Sequence, residues 1–116
     1  MSDQFPGSPV KQVRWSEKTA IVDCEGDIDL SRSPMFQAEL LKIIDSKPKR
    51  IVINLAEVRY MDSSGVASLV KLLSRVRKLG IQLRLAERTD RVRSVFEITR
   101  LDSVFEIHCS EAEALA

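Results

Sequence analysis

The sequence contains little of several residue types on which common protein functions depend. It has one histidine, two cysteines and few aromatic residues, which make up 5% of its 116 residues. Cys24 and Cys109 are too few for a disulfide framework or a metal-ligand set, and both lie in apolar-alternating stretches. This usage favours reduced thiols in a cytoplasmic protein, and the sequence predicts no metal and no other cofactor.

Long apolar runs and an excess of charge of one sign are also absent. No run approaches the roughly 18–20 apolar residues that cross a bilayer, so we expect no membrane insertion. Eighteen Lys and Arg residues oppose 17 Asp and Glu residues, which leaves a net charge of +1. The cations of the second half are interspersed with acids and have almost no aromatic neighbours, so we expect no direct nucleic-acid binding.

The remaining composition is that of one globular domain. Hydrophobic residues make up 44% and charged residues 30% of the chain, enough apolar material for a single core. Residues 1–9 are polar and contain two prolines and a glycine, which predicts a flexible leader. The domain is therefore predicted over residues 10–116.

Hydrophobic periodicity predicts strands that alternate with helices after an opening β-hairpin. Strands are predicted at residues 10–15, 19–24, 50–55, 81–86 and 104–108. Helices are predicted at residues 34–46, 63–79, 89–99 and 110–116, with residues 26–30 as a turn and residues 56–61 as a loop. This order indicates an α/β domain with a mixed, mostly parallel sheet of four to five strands packed with about four α-helices.

The segment Met-Asp-Ser-Ser-Gly at residues 61–65 lies between a predicted buried strand and the clearest predicted helix. Asp and Ser at such a place are typical helix caps. A phosphate on one of these serines would add nearly two negative charges at the surface. It would disturb a bound partner more than the helix, because a helix N-terminus tolerates an anion. Spacing alone leaves both capping and phosphorylation open.

The residues do not support an enzyme. A nucleophilic serine needs a base, and the single histidine, His108, lies far along the chain in an apolar strand. Gly65 belongs to neither a G-x-S-x-G nor a P-loop pattern. The acidic residues Asp23, Glu25, Asp27 and Asp29 lack a calcium-loop pattern, which favours a solvated edge.

From about Val10 to the end, the chain resembles the STAS domain family, specifically the bacterial anti-sigma factor antagonists. The resemblance rests on Gly-Asp-Ile-Asp at 26–29, Ile-Val-Ile-Asn-Leu at 51–55, and residues 58–66 around Asp62-Ser63-Ser64-Gly65. The helix that ends at Gly80 and the strand–helix–strand tail follow in the same order.

The resemblance implies a binding switch. In antagonists of this type, the unphosphorylated protein binds an anti-sigma factor that is also a serine kinase, which frees the sigma factor. The kinase phosphorylates the serine directly after the aspartate, here Ser63, with Ser64 as the second candidate, and a serine phosphatase resets the switch. The implied partner-binding residues are Gly26, Asp27, Asp29, Asp62, Ser63, Ser64 and Gly65.

Two further roles stay open at the level of sequence. STAS-like domains also serve, without phosphorylation, as regulatory or scaffold subunits of transporter complexes and stress-signalling assemblies, and resemblance of fold alone does not decide function. Self-association into a homodimer is also left open.

Overall fold

The computed structural model describes residues 7–116, which form a sheet layered with helices. Within this range the order is β1 (Val10–Ser16), β2 (Thr19–Ile28), α1 (Ser33–Asp45), β3 (Arg50–Met61), α2 (Ser63–Leu79), β4 (Gln82–Ala86), α3 (Asp90–Ile98), β5 (Glu106–His108) and α4 (Glu111–Leu115). The predicted fold class, with five strands and four helices in this range, is confirmed.

The five strands lie in the order β1-β2-β3-β4-β5. Only β1 is antiparallel to its neighbour, and the other pairs are parallel. Each parallel connection contains one helix, as parallel strands require. The carboxyl ends of β2 and β3 therefore meet at one edge of the sheet, where β3 leads directly into α2.

The two faces of the sheet are covered unequally. Alternate residues of β3, namely Ile51, Ile53 and Leu55, join the main core with apolar residues of α1, α2 and α3. Val52 points to the opposite face, where it joins a small cluster with Ala86 and Ala114. The short helix α4 is therefore the cover of that second face, and much of the face stays polar.

The predicted turn at residues 26–30 and the predicted loop at residues 56–61 are wrong in part. Strand β2 continues to Ile28 and β3 to Met61, and the extensions pair with each other in parallel. Two register shifts in this pairing break the alternation that would have revealed the strands. Gly26 supports the irregular path because its φ is +74°.

Helix α1 begins without a side-chain cap, because its N-cap residue, Arg32, makes no capping hydrogen bond through its side chain. The carbonyl oxygen of Asp29 accepts hydrogen bonds from the N–H groups of Arg32 and Ser33 instead. Asp29 thus holds the chain between β2 and α1.

The predicted leader lies mostly outside the described residues. Its last part, residues 7–9, follows the domain surface: the Arg32 guanidinium donates to the carbonyl oxygens of Gly7 at 2.7 Å and Ser8 at 3.0 Å. The N–H of Glu25 donates to the carbonyl oxygen of Pro9 at 2.8 Å.

An ion-pair network connects β1 to α4 across the polar face. The Arg14 guanidinium donates to both carboxylate oxygens of Asp23 at 2.7 Å and also pairs with Glu111. The Asn54 amide donates to Glu111 at 2.9 Å. Hydrogen bonds from Arg14, with smaller contributions from Gln12 at Asp23 and Asn54 at Glu111, hold the pKa of both carboxyls below the usual range.

This network predicts acid-sensitive stability. A lowered folded-state pKa stabilises the fold above the ordinary carboxyl pKa, and that contribution is lost as pH falls through the folded value. We expect Arg14→Gln to lower the free energy of unfolding by about 1 kcal/mol at pH 7, given partial exposure, and by less at pH 3. Urea unfolding at both pH values measures the difference. Lys11→Gln, which removes the exposed pair with Glu57, is the control and should have almost no effect. Equal losses at both pH values for Arg14→Gln would contradict the electrostatic explanation.

Candidate functional site

The Asp62 side chain organises the segment between β3 and α2. One carboxylate oxygen, Oδ1, accepts hydrogen bonds from the N–H groups of Ser64 at 2.9 Å and Gly65 at 3.2 Å. Its Oδ2 accepts a hydrogen bond from the N–H of Leu30 at 3.2 Å. Asp62 is thus the N-cap of α2 and also holds the loop that follows β2.

These contacts keep Asp62 ionised. Its partial burial raises the pKa of the carboxyl, but hydrogen bonds oppose this effect and outweigh it. They come from the Ser64 hydroxyl and from the N–H groups of Gly65, Ser64 and Leu30, and the net pKa lies below the usual value. The site therefore carries a fixed negative charge at neutral pH.

The two adjacent serines have different environments. Ser63, the first residue of α2, is exposed, and its hydroxyl makes no hydrogen bond within residues 7–116. The Ser64 hydroxyl is half-buried, donates to Asp62 Oδ1 and lies 3.2 Å from the hydroxyl of Ser33. A reaction at Ser63 therefore breaks no internal hydrogen bond, whereas a reaction at Ser64 disrupts the cap.

Gly65 is buried where α2 begins against the end of β2. A Cβ atom at this position would lie 2.7 Å from the carbonyl oxygen of Ile28 and 2.7 Å from the Met61 side chain. The resemblance implied Gly65 as one of the partner-binding residues. In the structure, the close contacts at Gly65 are with Ile28 and Met61 of the domain itself.

The other predicted partner-binding residues lie along β2 and the loop after it. Asp29 is linked to Ser64 through Ser33, whose hydroxyl lies 2.8 Å from the Asp29 carbonyl oxygen. Asp27 forms an exposed ion pair with Arg59 of β3, Nε to Oδ1 3.0 Å. Gly26 lies beside the Arg32 guanidinium, which a Cβ atom there would approach to 2.9 Å. The structure brings Asp29, Asp62 and Ser64 into one connected network, with Asp27 and Gly26 at its side.

Sequence reasoning missed Leu30 and Ser33. The Leu30 side chain is 74% exposed. The Leu30 N–H donates to Asp62, so this apolar side chain projects near the start of α2. The only sequence signal was a leucine that breaks a polar stretch. Within the described part of the chain, no cluster of three or more His, Cys, Asp and Glu side chains is arranged to hold a metal ion.

Comparison with known proteins gives consistent matches. The family model of the STAS domain matches residues 11–114. The anti-sigma-B factor antagonist of Bacillus subtilis is 30% identical over 95 residues, 82% of this chain and 86% of that protein. The anti-sigma-B factor antagonist of Listeria monocytogenes is 35% identical over 89 residues, 76% of this chain and 77% of that protein.

Solved structures share the fold. An anti-sigma factor antagonist from Mycobacterium paratuberculosis superposes with a TM-score of 0.85 at 23% identity and covers 95% of this chain and 93% of its own. The Bacillus protein SpoIIAA in its phosphorylated form superposes with a TM-score of 0.68 at 21% identity and covers 90% of this chain and 95% of its own.

The packing around Gly65 predicts a steric cost. We expect Gly65→Ala to destabilise the domain by about 1–3 kcal/mol, because Ile28 and Met61 must move to admit a methyl group. Ser63→Ala, in the same helical turn but exposed, should change stability by less than about 0.5 kcal/mol. Chemical denaturation of both variants measures the difference. Equal stability of Gly65→Ala and the unmodified domain would show that the close contact is easily relaxed.

The capping role of Asp62 predicts a second effect on stability. We expect Asp62→Ala to cost about 1–2 kcal/mol, because it removes the carboxylate that accepts hydrogen bonds from the N–H groups of Ser64, Gly65 and Leu30. Its control is Asp102→Ala, which removes an exposed carboxylate that has no side-chain partner in the range 7–116. A shift in denaturation midpoint that is no larger for Asp62→Ala than for Asp102→Ala would rule out the capping role.

Proposed function

The chain belongs to the STAS domain family and, within it, to the anti-sigma factor antagonists, and on this basis we propose that phosphorylation of Ser63 switches its partner binding off. Proteins of this kind are regulators and not enzymes. The unphosphorylated domain binds an anti-sigma factor that is also a serine kinase, and this binding releases the sigma factor. A serine phosphatase restores the binding form.

The observation that carries the proposal is the difference between the two serines. At the start of α2, Ser63 presents an exposed hydroxyl that has no hydrogen-bond partner among residues 7–116. The kinase transfers the γ-phosphoryl group of ATP to Ser63 Oγ, so that a phosphorus–oxygen bond forms there, ADP leaves and the hydroxyl proton is released. Ser64 is the poorer acceptor, because its hydroxyl is bound to Asp62 and lies against Ser33.

Electrostatics supports an effect of the phosphate on partner binding. The N–H groups of Ser64 and Gly65 are already occupied by Asp62, so a phosphate on Ser63 is not neutralised by them. It adds nearly two negative charges next to an ionised carboxylate. A partner that covers Ser63 and the exposed Leu30 would have to desolvate this charge, which is unfavourable.

No helix within residues 7–116 has the length and apolar character that spanning a membrane requires. The proposed partners are cytoplasmic and the reaction consumes cytoplasmic ATP, so the proposal also places the domain in the cytoplasm.

The test is mass spectrometry after incubation with ATP and each candidate serine-kinase anti-sigma factor of the same genome. We expect one phosphate on Ser63, none on the Ser63→Ala variant, and continued phosphorylation of Ser64→Ala. Binding should be retained by Ser63→Ala and lost in Ser63→Asp, with a similar melting temperature for both. No phosphate from any candidate, together with stable binding to a transporter subunit or a scaffold protein, would favour the regulatory-subunit role instead.

A further inference from the structure

A groove runs between α1 and α2 on the outer side of the helical layer. Its wider part encloses about 480 Å³ and is lined by Leu41, Ile44 and Leu79 among others. Its narrower part, about 90 Å³, shares Leu41 with the wider part and also contains Leu72 and Ser68. The floor of the groove is therefore formed by aliphatic side chains of two packed helices.

Two of these leucines remain in contact with solvent. Leu79 is 56% exposed and Leu41 is 40% exposed, although both lie on helices that contribute to the core. Removing such apolar surface from water is favourable, at roughly 25 cal/mol per Å². A concave aliphatic surface of this kind is suited to a protein partner.

The rim of the groove is basic and lacks internal partners. Lys71, Arg75 and Lys78 line it, and none of them forms an ion pair or a side-chain hydrogen bond within the described residues. Asp45 is the one acidic residue that lines either part. Several cations elsewhere in the described residues are paired with carboxylates, as in the pairs Arg14–Asp23, Arg59–Asp27, Arg84–Glu106 and Arg93–Glu97, so these charges are not available to a partner to the same extent.

We propose that this groove binds an amphipathic helix of a partner protein that has leucine-like residues on one face and acidic residues on its flanks. Apolar side chains of that helix, spaced by three or four residues, enter between Leu41 and Leu79. Its flanking carboxylates pair with Lys71, Arg75 and Lys78. A nucleic acid is the poorer fit, because the floor has aliphatic side chains in place of aromatic rings that stack on bases.

The groove is separate from the proposed switch. Its narrow end contains Ser68, whose hydroxyl donates to the Ser64 carbonyl oxygen, but its wide end reaches Leu79, sixteen residues along α2. At the rise of an α-helix this separation is about 24 Å. It exceeds the screening length of about 8 Å at physiological salt, so a phosphate on Ser63 should leave binding at the wide end nearly unchanged.

The test is fluorescence anisotropy with a labelled synthetic helical peptide whose leucines recur every third or fourth residue and whose flanking positions are glutamate. We expect saturable binding to the full chain that weakens about tenfold for Arg75→Glu and for Leu79→Ser. The matched control is Arg91→Glu on α3, an exposed cation outside the groove, which should bind like the unmodified chain. Ser63→Asp should also bind normally, which separates this site from the proposed switch.

Three results would overturn the proposal. The first is no binding of the acidic peptide. The second is equal binding of a peptide with lysine in place of every glutamate, or equal weakening by Arg91→Glu, because either indicates non-specific attraction. The third is binding of phosphatidylserine-containing vesicles, weakened by Arg75→Glu and Leu79→Ser, in the absence of peptide binding, since that identifies the face as a lipid-binding surface. Melting curves of each variant establish that the fold is intact.

Discussion

The Asp62 carboxylate holds together two loops that are distant in sequence. It accepts hydrogen bonds from the start of α2 and from Leu30 after β2, so the ends of two neighbouring parallel strands share one anion. The rest of the site depends on this arrangement. The Ser64 hydroxyl is hydrogen-bonded because it lies against Asp62. Ser63, one residue earlier on the first helical turn, is exposed. The Leu30 side chain projects into solvent because its N–H is held by Asp62.

The same region is sterically constrained by Ile28. Its carbonyl oxygen accepts a hydrogen bond from the Asp62 N–H at 3.3 Å, and its side chain and carbonyl oxygen lie against Gly65. The extension of β2 to Ile28 and of β3 to Met61 brings these atoms into contact. The negative charge of Asp62 is therefore held in place by the close packing of Ile28 against Gly65, which limits movement at the start of α2.

Much of the fold was predictable, because the capping residues and the hydrophobic periodicity of the sequence agree with the helices and strands of the structure. The α2 helix begins after a capping aspartate and ends at Gly80, whose φ is +72°, as its sequence indicates. The strand extensions were not predictable, because bulges between β2 and β3 remove the alternation on which the prediction depends.

For the site, the sequence predicted the Asp-Ser-Ser-Gly motif but not the contacts of its residues. Sequence spacing indicated both serines but could not distinguish their hydrogen bonds, which depend on Ser33 and on the tertiary position of Asp62. The tight packing of Gly65 was not predictable, because its neighbours across the fold, Ile28 and Met61, cannot be identified from the local sequence. No prediction was made for Leu41 or Leu79, because their exposure depends on how α1 and α2 pack together in the fold.

The exposure of the Ser63 hydroxyl has a consequence for the lifetime of the domain in the cell. Cellular proteases remove proteins according to how often they unfold. Because Ser63 makes no internal hydrogen bond, domains with and without a group on its hydroxyl should unfold equally often. Under the proposed phosphorylation of Ser63, both forms then survive about equally long, and one molecule can pass through several rounds of modification and reversal before it is degraded.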